Sequence, residues 1–541
     1  MVVIGGRRPW WLHAAVYQIY VRSFADANGD GTGDVAGIRS RLPYLADLGI
    51  DAIWVNPWYR SPLHDGGYDV ADYRNLDPRF GTIEDAEALI ADAREHGIGV
   101  LVDLVPNHSS SEHPWFVEAL ASAPGSPARA RYHFKAGRGV EGELPPNDWL
   151  SNFGGPAWTR IDDGEWYLHL FDSSQPDFNW ENPAVIAEFD DILRFWLDRG
   201  IAGMRVDVAP GLMKHPDFPD IGDVSQADSA MAIKDHPFWD RDDVHPIIRR
   251  WRSIFDEYDG AMMVAEAWVR ADRLPLYLRP DEYHQAFEFD LVRAPWDAAT
   301  FTSVIGEAFA AANAVGSTPT WVLSNHDVVR HPTRYGLPGD IDPAKWLLDG
   351  PHELLDEEAG SRRARAAAMI VMALPGSVYL YQGDELGLPE VWDLPESVLD
   401  DPVWENSGRR RKGRDGCRVP IPWEATGPSL GNGAVAPWMP QPEGFAALAV
   451  SEQLRDEDSM LNLYRSALAI RRERLTSDED FEQAVSPNVV EFTRGRGFRC
   501  IVNMGTSPVP MPTGEVLLAS GSIGDELPSD TAVWLVDSSG E

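Results

Sequence analysis

The chain has 541 residues, too many for one compact core, and its 44% hydrophobic content is that of an ordinary soluble globular protein. Its 47 basic and 85 acidic residues give a formal net charge of −38, a field that repels phosphate backbones and anionic lipid and so argues against nucleic-acid or membrane partners. Two cysteines, Cys417 and Cys500, are too few for a disulfide framework or a cysteine metal cluster.

Along the chain, short apolar runs alternate with helix-like segments. Candidate strands span 16–24, 52–56, 99–105, 203–209, 262–267, 286–291, 321–325 and 378–382. Amphipathic segments such as 82–96 and 184–199 lie between them. Eight such repeats predict an α/β fold, a parallel (β/α)8 barrel. A doubly wound sheet would also alternate, but no glycine-rich phosphate loop follows the first strand.

The gap between the third and fourth strands is far longer than one helix needs. The stretch 109–174, rich in Pro, Gly, Trp and Asn, reads as a domain inserted over the barrel mouth. A second insertion, 383–453, follows the eighth strand, and a helix over 460–474 closes the barrel. Strand-like runs at 489–493, 498–502 and 532–536 predict a small β-sandwich-like domain over 476–541. The barrel itself then comprises 1–108 and 175–475. The N-terminus lacks the apolar core and cleavage site of a signal peptide, and no apolar run is long enough to span a bilayer, so a cytoplasmic protein is expected.

Active sites of such barrels form at the C-terminal strand ends. Four runs place polar groups there: Asp103-Leu-Val-Pro-Asn107-His108, Gly203-Met-Arg205-Val-Asp207-Val208, Val264-Ala-Glu266-Ala-Trp268 and Leu323-Ser-Asn-His326-Asp327. A strand points alternate side chains to one face, so Arg205 and Asp207 share a face. A guanidinium beside Asp207 keeps its carboxylate ionised and aimed, the state a covalent glycosidase nucleophile requires. The 21 tryptophans suit a carbohydrate site, because sugar C–H faces stack on aromatic rings, although a large core accounts for most of them. After the first strand, Asp26, Asn28, Asp30, Thr32 and Asp34 alternate in a Gly-rich loop, an oxygen-donor pattern that can wrap Ca²⁺ or Mg²⁺.

Together the four runs resemble the conserved regions of the α-amylase family of glycoside hydrolases (family 13). Gln175-Pro176-Asp177-Phe178-Asn179-Trp180 is similar to a QPDLN-like segment that marks the oligo-1,6-glucosidase branch. The resemblance implies Asp207 as nucleophile, Glu266 as general acid/base and Asp327 as the third carboxylate. It implies that Arg205 orients Asp207, and that His108, His326 and Phe171 contact substrate. Asp65-Gly66-Gly67-Tyr68-Asp69 resembles the family's D-N-G-Y-D segment, with Gly66 in place of Asn; Asp65 then binds a terminal hydroxyl and Tyr68 stacks on its ring. Asp65 is expected to pair with Arg414 or Arg418 of a segment similar to R-D-x-x-R-T-P, where Val419 replaces Thr. The 26–34 loop resembles the family's D-x-N-x-D-x-x-x-D metal loop, with Thr32 giving only its carbonyl. Arg205 is expected to lower the pKa of Asp207, and burial with neighbouring carboxylates to raise that of Glu266.

Val208 matches many α-1,6-acting relatives, but the following Ala209-Pro-Gly-Leu-Met-Lys-His-Pro run is closer to actinobacterial α-glucosidases that often cleave α-1,4 bonds, so linkage stays open. The expectation is a retaining α-glucosidase, with a sucrose isomerase, trehalose synthase or other transglucosylase as the alternative. Its partner would be a small neutral disaccharide or oligosaccharide. No cofactor is expected for catalysis, and the chain would act as a monomer or homodimer.

Overall fold

The structure, a computed structural model, describes residues 9–222, 233–475, 481–495 and 497–537. Eight parallel strands form the central sheet: β1 (Ala15–Ile19), β2 (Ala52–Val55), β3 (Gly99–Leu104), β4 (Gly203–Val206), β5 (Met262–Ala265), β6 (Gln285–Ala286), β7 (Thr320–Val322) and β8 (Ser377–Tyr381). Their hydrogen-bonded order is β6-β5-β4-β3-β2-β1-β8-β7, and a parallel bridge from Phe287 to Thr320 joins the two ends. The strands read as nearly continuous apolar runs because both faces are covered, one by helices and one by the barrel interior.

Two helices show how local sequence sets the frame. Helix α1 (Ile83–Glu95) starts in a capping box, Thr82 accepting from the Asp85 N–H while the Asp85 side chain accepts from Thr82 N–H. Helix α2 (Pro183–Leu197) starts at an Asn182 cap with proline at its first position, and buries Val185, Phe189, Ile192, Leu193 and Trp196 against the barrel. Helix α3 (His245–Phe255) precedes β5 and packs on α2.

One predicted strand is corrected. The run 286–291 is apolar enough for a strand, but β6 ends at Ala286; Glu288 caps the short helix α4 (Phe289–Arg293), its side chain accepting from Asp290 N. The first predicted strand is also shorter than expected, because the chain turns into a 3₁₀ segment at Val21–Ser23.

Between β3 and α2 the chain forms a three-stranded antiparallel sheet, with Glu165–Leu168 between Phe134–Ala136 and Trp158–Arg160. After β8 the insertion holds mostly 3₁₀ turns and the helix Pro402–Asn406, and contacts that sheet region through Asn406 Nδ2 to Asp172 Oδ2 at 2.6 Å. Helix α5 (Ala298–Ala314) lies between β6 and β7, helix α6 (Glu357–Ala373) precedes β8, and helix α7 (Met460–Arg474) closes the barrel where predicted. The tail forms an antiparallel sheet of β9 (Glu482–Ala484), β10 (Val489–Arg494), β11 (Phe498–Asn503), β12 (Glu515–Ala519) and β13 (Thr531–Val536), in the order β9-β10-β11-β13-β12. It docks on α6, whose alanine-rich face is buried; Trp534 Nε1 donates to Met369 O at 3.2 Å. Among the described residues no helix is long and apolar enough to cross a membrane.

Candidate active site

Parallel register sets Asp103 of β3 opposite Arg205 of β4, and Arg205 opposite Val264 of β5. Arg205 is 1% exposed and spends its guanidinium on three carboxylates: Nη1 donates to Asp103 Oδ1 at 2.8 Å and to Asp207 Oδ1, and Nη2 lies 2.9 Å from Glu266 Oε2. One cation thus spans the ends of three adjacent strands. Asp103 is fixed from behind by Trp54 Nε1 at 2.9 Å and the Tyr68 hydroxyl at 3.1 Å.

Glu266 accepts two further hydrogen bonds, Val208 N to Oε2 at 3.0 Å and Trp268 Nε1 to Oε1 at 3.1 Å. The first depends on an unusual backbone. Val208 has φ 47° and ψ 41°, a left-handed conformation that costs a β-branched residue about 1–3 kcal/mol. Gly211 accommodates it, since a Cβ there would lie 2.6 Å from Val208 Cγ1.

Burial is the largest influence on Asp207 and pushes its carboxyl well above the usual range; Arg205 opposes this, while the Glu266 and Asp103 carboxylates reinforce it. The expected lowering of Asp207 by Arg205 is therefore outweighed by desolvation and by two neighbouring negative charges. Asp103 is likewise pushed up by burial, against Arg205, to about 6.

A second set of charges closes one end. Asp65 Oδ1 accepts from Arg414 Nη2 at 2.6 Å, which resolves the choice between Arg414 and Arg418. Arg414 Nη1 and Arg418 Nη2 both donate to Asp327 Oδ1 at 3.0 Å. Asp401 accepts two more bonds from Arg414, from Nε at 2.6 Å and Nη2 at 3.0 Å. Burial raises Asp327, but His326 and the Arg414, Arg418 and Arg205 cations outweigh it and hold the carboxyl below the usual range. Asp401 is held at about 2, burial again being outweighed by Arg414.

His326 is fully buried and stacks on Tyr68, centroids 5.2 Å apart at 8°. Its Nδ1 lies 2.7 Å from Gln18 Nε2, an amide donor, so Nδ1 accepts and the proton sits on Nε2, 3.2 Å from Asp327 Oδ2. Burial pushes His326 well below the usual histidine range, against the neighbouring Asp327 carboxylate. Gln175 Nε2 donates to Asp65 Oδ2 at 3.0 Å and lies 3.1 Å from His108 Nε2. Gly66 suits this chain where the family pattern has Asn: its φ is +58°, and a Cβ would lie 2.6 Å from the Tyr20 hydroxyl.

These groups face a cavity of about 1130 Å³. Asp65, Tyr68, His108, Phe171, Asp207, Glu266, Asp327 and Arg414 line it. Arg205, His326 and Arg418 do not reach the wall; they lie behind it and hold Asp207, Tyr68 and Asp327. Four further aromatic rings, Phe238, Trp239, Trp268 and Trp296, also line the cavity. Sequence reasoning gave no role to Gln18, Asn56, Asp103, Asp401 or Trp268. A glutamine and an asparagine at the ends of apolar strands were a usable signal. Asp401, before Pro402, signals only a helix cap, and it caps the helix Pro402–Asn406.

The metal loop folds as a chain of turns closed by its own side chains. Asp26 accepts from Gly29 N at 2.6 Å and Gly31 N at 2.9 Å, Asn28 from Asp30 N at 2.8 Å, and Asp30 from Thr32 N at 2.8 Å. Asp34 accepts from Asn28 N at 3.0 Å and from Gly37 N at 2.6 Å, capping the helix Val35–Ser40. The all-oxygen donor set suits a hard cation. Among the described residues no three His, Cys, Asp or Glu side chains gather as a metal-holding group, so a cation here would also draw on Asn28 and the Thr32 carbonyl. No chemical step involves this loop.

A parallel eight-stranded barrel whose strand ends gather paired carboxylates around one arginine, in a cavity walled with aromatic rings, defines a glycoside-hydrolase type of barrel enzyme. The model for the α-amylase catalytic domain matches residues 18–479. Over 547 residues, 96% of this chain and 94% of the relative, the chain is 36% identical to a "Probable alpha-glucosidase" of Rhizobium meliloti (strain 1021). It is 31% identical to an oligo-1,6-glucosidase of Parageobacillus thermoglucosidasius, over 91% of this chain and 89% of that one. Among solved structures, the trehalulose synthase MutB from Pseudomonas mesoacidophila MX-45 superposes with a TM-score of 0.85 at 30% identity, covering 98% of this chain and all of that one. The chain belongs to the α-amylase family, glycoside hydrolase family 13.

Proposed function

We propose that the protein is a retaining, exo-acting α-glucosidase that releases glucose from the non-reducing end of short α-glucosides. The observation that carries this reading is the Arg205 guanidinium joined to both Asp207 and Glu266, at the floor of a cavity closed at one end by Asp65 and Arg414. Retention needs two carboxyl groups roughly 5 Å apart, one a nucleophile and one a proton donor. Asp207 attacks the anomeric carbon while Glu266 protonates the leaving oxygen, and the glycosidic C–O bond breaks. Glu266 then takes a proton from water, whose oxygen attacks the same carbon and displaces the Asp207 carboxylate. Asp327 and His108 bond hydroxyls of the reacting ring, and the Asp65–Arg414 pair leaves room for one sugar beyond the scissile bond.

A sucrose isomerase or transglucosylase is the second reading, favoured by the likeness to the trehalulose synthase over the whole chain. Incubation with maltose, isomaltose, sucrose and trehalose, with product analysis, separates the two. Free glucose should dominate; isomeric disaccharides in excess would overturn the hydrolase reading. Action in the cytoplasm, as monomer or homodimer, on neutral sugars fits the two unpaired buried cysteines and the acidic surface. A structural Ca²⁺ or Mg²⁺ in the 26–34 loop is proposed from its donor chemistry alone; millimolar Ca²⁺ should raise Tm by a few degrees, and Asp30→Ala should abolish the shift.

A further inference from the structure

We infer that Trp268 is a positioning residue for Glu266: its indole N–H, held in one orientation by the packing around it, fixes the carboxylate that donates the proton to the leaving group. The inference rests on Glu266 being the acid/base.

Glu266 is tied at both oxygens. Oε2 takes Arg205 Nη2 at 2.9 Å and Val208 N at 3.0 Å, both from β4 and its end. Oε1, the other oxygen, takes Trp268 Nε1 at 3.1 Å. Without the indole, Oε1 keeps none of these donors, and the carboxylate is anchored from one side alone. A proton donor must be held within hydrogen-bond reach of the glycosidic oxygen, about 2.6–3.2 Å, to act in the transition state.

The indole has little freedom to do anything else. Phe289 stacks on it with centroids 3.7 Å apart at 4°, and Arg293, one turn further along α4, packs its guanidinium 4.6 Å from the ring centroid. The Trp268 carbonyl is pinned by Trp239 Nε1 at 2.8 Å. Trp268 lies on the cavity wall beside Glu266, so the same ring borders the leaving group it helps to protonate. This gives the displaced sixth strand a purpose: α4, formed where a strand was expected, supplies both Phe289 and Arg293.

The test is the dependence of rate on leaving group. Trp268→Phe keeps a ring against Phe289 and removes the N–H. With maltose, kcat/KM should fall at least ~30-fold, mostly in kcat, since acid catalysis contributes about 10²–10⁴. With α-glucosyl fluoride, which leaves without a proton donor, kcat/KM should fall no more than about threefold, while kcat falls because Glu266 is also the base for the attacking water. Azide, which attacks the glycosyl-enzyme without base assistance and expels Asp207, should restore turnover of the fluoride and yield glucosyl azide. Replacing Trp268 by benzothienylalanine, with sulfur in place of N–H, should reproduce the pattern and separates the bond from the ring's bulk. An equal loss of kcat/KM on both substrates, or none on maltose, would overturn the inference. Glu266→Gln is run alongside: if it does not discriminate between maltose and the fluoride, the acid/base reading itself fails, whatever Trp268 does.

Discussion

The two ends of the cavity are built differently. At the end closed by Asp65, every charge is matched: Arg414 serves Asp65, Asp327 and Asp401, and Arg418 joins it on Asp327. Elsewhere the lining includes four rings, Phe238, Trp239, Trp268 and Trp296, among aliphatic side chains and cations such as Arg293 and Arg334. Buried ion pairs fix angles and distances and leave an uncompensated charge when broken. Aromatic walls offer area and tolerate different occupants. A rigid ionic end beside a more tolerant aromatic surface would suit the proposed exo-acting α-glucosidase, which must hold one glucose closely and accept different leaving groups. Strict recognition of one glucose with variable partners is the behaviour expected of such a site.

The sharpest break comes at the floor between the two ends. Asp207→Asn keeps the size and the Arg205 contact but removes the group proposed as nucleophile. Turnover on any α-glucoside should drop by about 10⁴-fold or more, with Tm nearly unchanged. A variant retaining a tenth of the rate would show that another group attacks. Next is the ionic end. Arg414→Ala strands Asp65 and Asp401 without their cation, and kcat/KM for maltose should fall about 10²–10³-fold, in line with the cost of breaking a buried pair. Arg414→Lys should recover little, because Nε and Nη2 grip Asp401 as a fork that an ammonium cannot copy. Near-normal kinetics in the lysine variant would mean that charge alone, not geometry, closes the pocket.

The aromatic end should respond more mildly. Trp296 is half-buried and donates from Nε1 to Asp530 Oδ1 of the C-terminal sheet region at 2.7 Å. Trp296→Ala should change the ratio of kcat/KM for maltose and isomaltose by no more than about tenfold, about 1.4 kcal/mol, and leave α-glucosyl fluoride hydrolysis unaltered. A large loss on the fluoride would place Trp296 at the reacting ring instead of the leaving group.

The same asymmetry decided what the sequence revealed. Asp207, Glu266 and Asp327 were legible because each follows an apolar run at a strand end, where the barrel puts its chemistry. Arg414 and Arg418 were visible as a pair but not distinguishable, since both sit on one short turn and only the three-dimensional approach of Asp65 separates them. Asp401 was readable only as the cap of the helix Pro402–Asn406, since it meets Arg414 only because the insertion folds back. The aromatic wall was equally hidden. With 21 tryptophans in the chain, and Trp54, Trp58, Trp196, Trp251 and Trp321 fully buried, composition could not say which few face the cavity. The barrel itself was plain from periodicity, except at β6, where Phe287, Phe289 and Leu291 mimic a strand although Glu288 caps a helix.

The contrast between paired and unpaired burial extends to pH. Behind β8, Asp384 is pushed by burial to about 8 and Glu390 to about 7, in both cases against Arg330; Glu288, beside the aromatic wall, is pushed by burial to about 7. These acids are protonated in the fold at pH values where the unfolded chain, with carboxyl pKa near 4, has released its protons. Their stabilising contribution is complete below about pH 4 and is lost as pH rises through 7 and 8, because the native state then binds more protons than the unfolded one. Asp401, at about 2, acts in the opposite sense: its contribution is present above about pH 4 and lost as pH falls toward 2. Stability should therefore peak on the acid side of neutrality, and Tm should fall between pH 6 and pH 8.5. Asp384 contributes most over that interval and accepts a backbone bond from Tyr381 N at 3.0 Å, which an amide oxygen can also accept, with Arg330 and His331 farther off at 4.0 and 3.6 Å. Asp384→Asn should flatten the decline measured by thermal unfolding; a slope equal to that of the parent would mean that the buried acids ionise without cost and that the barrel's back wall is wetter than its packing implies.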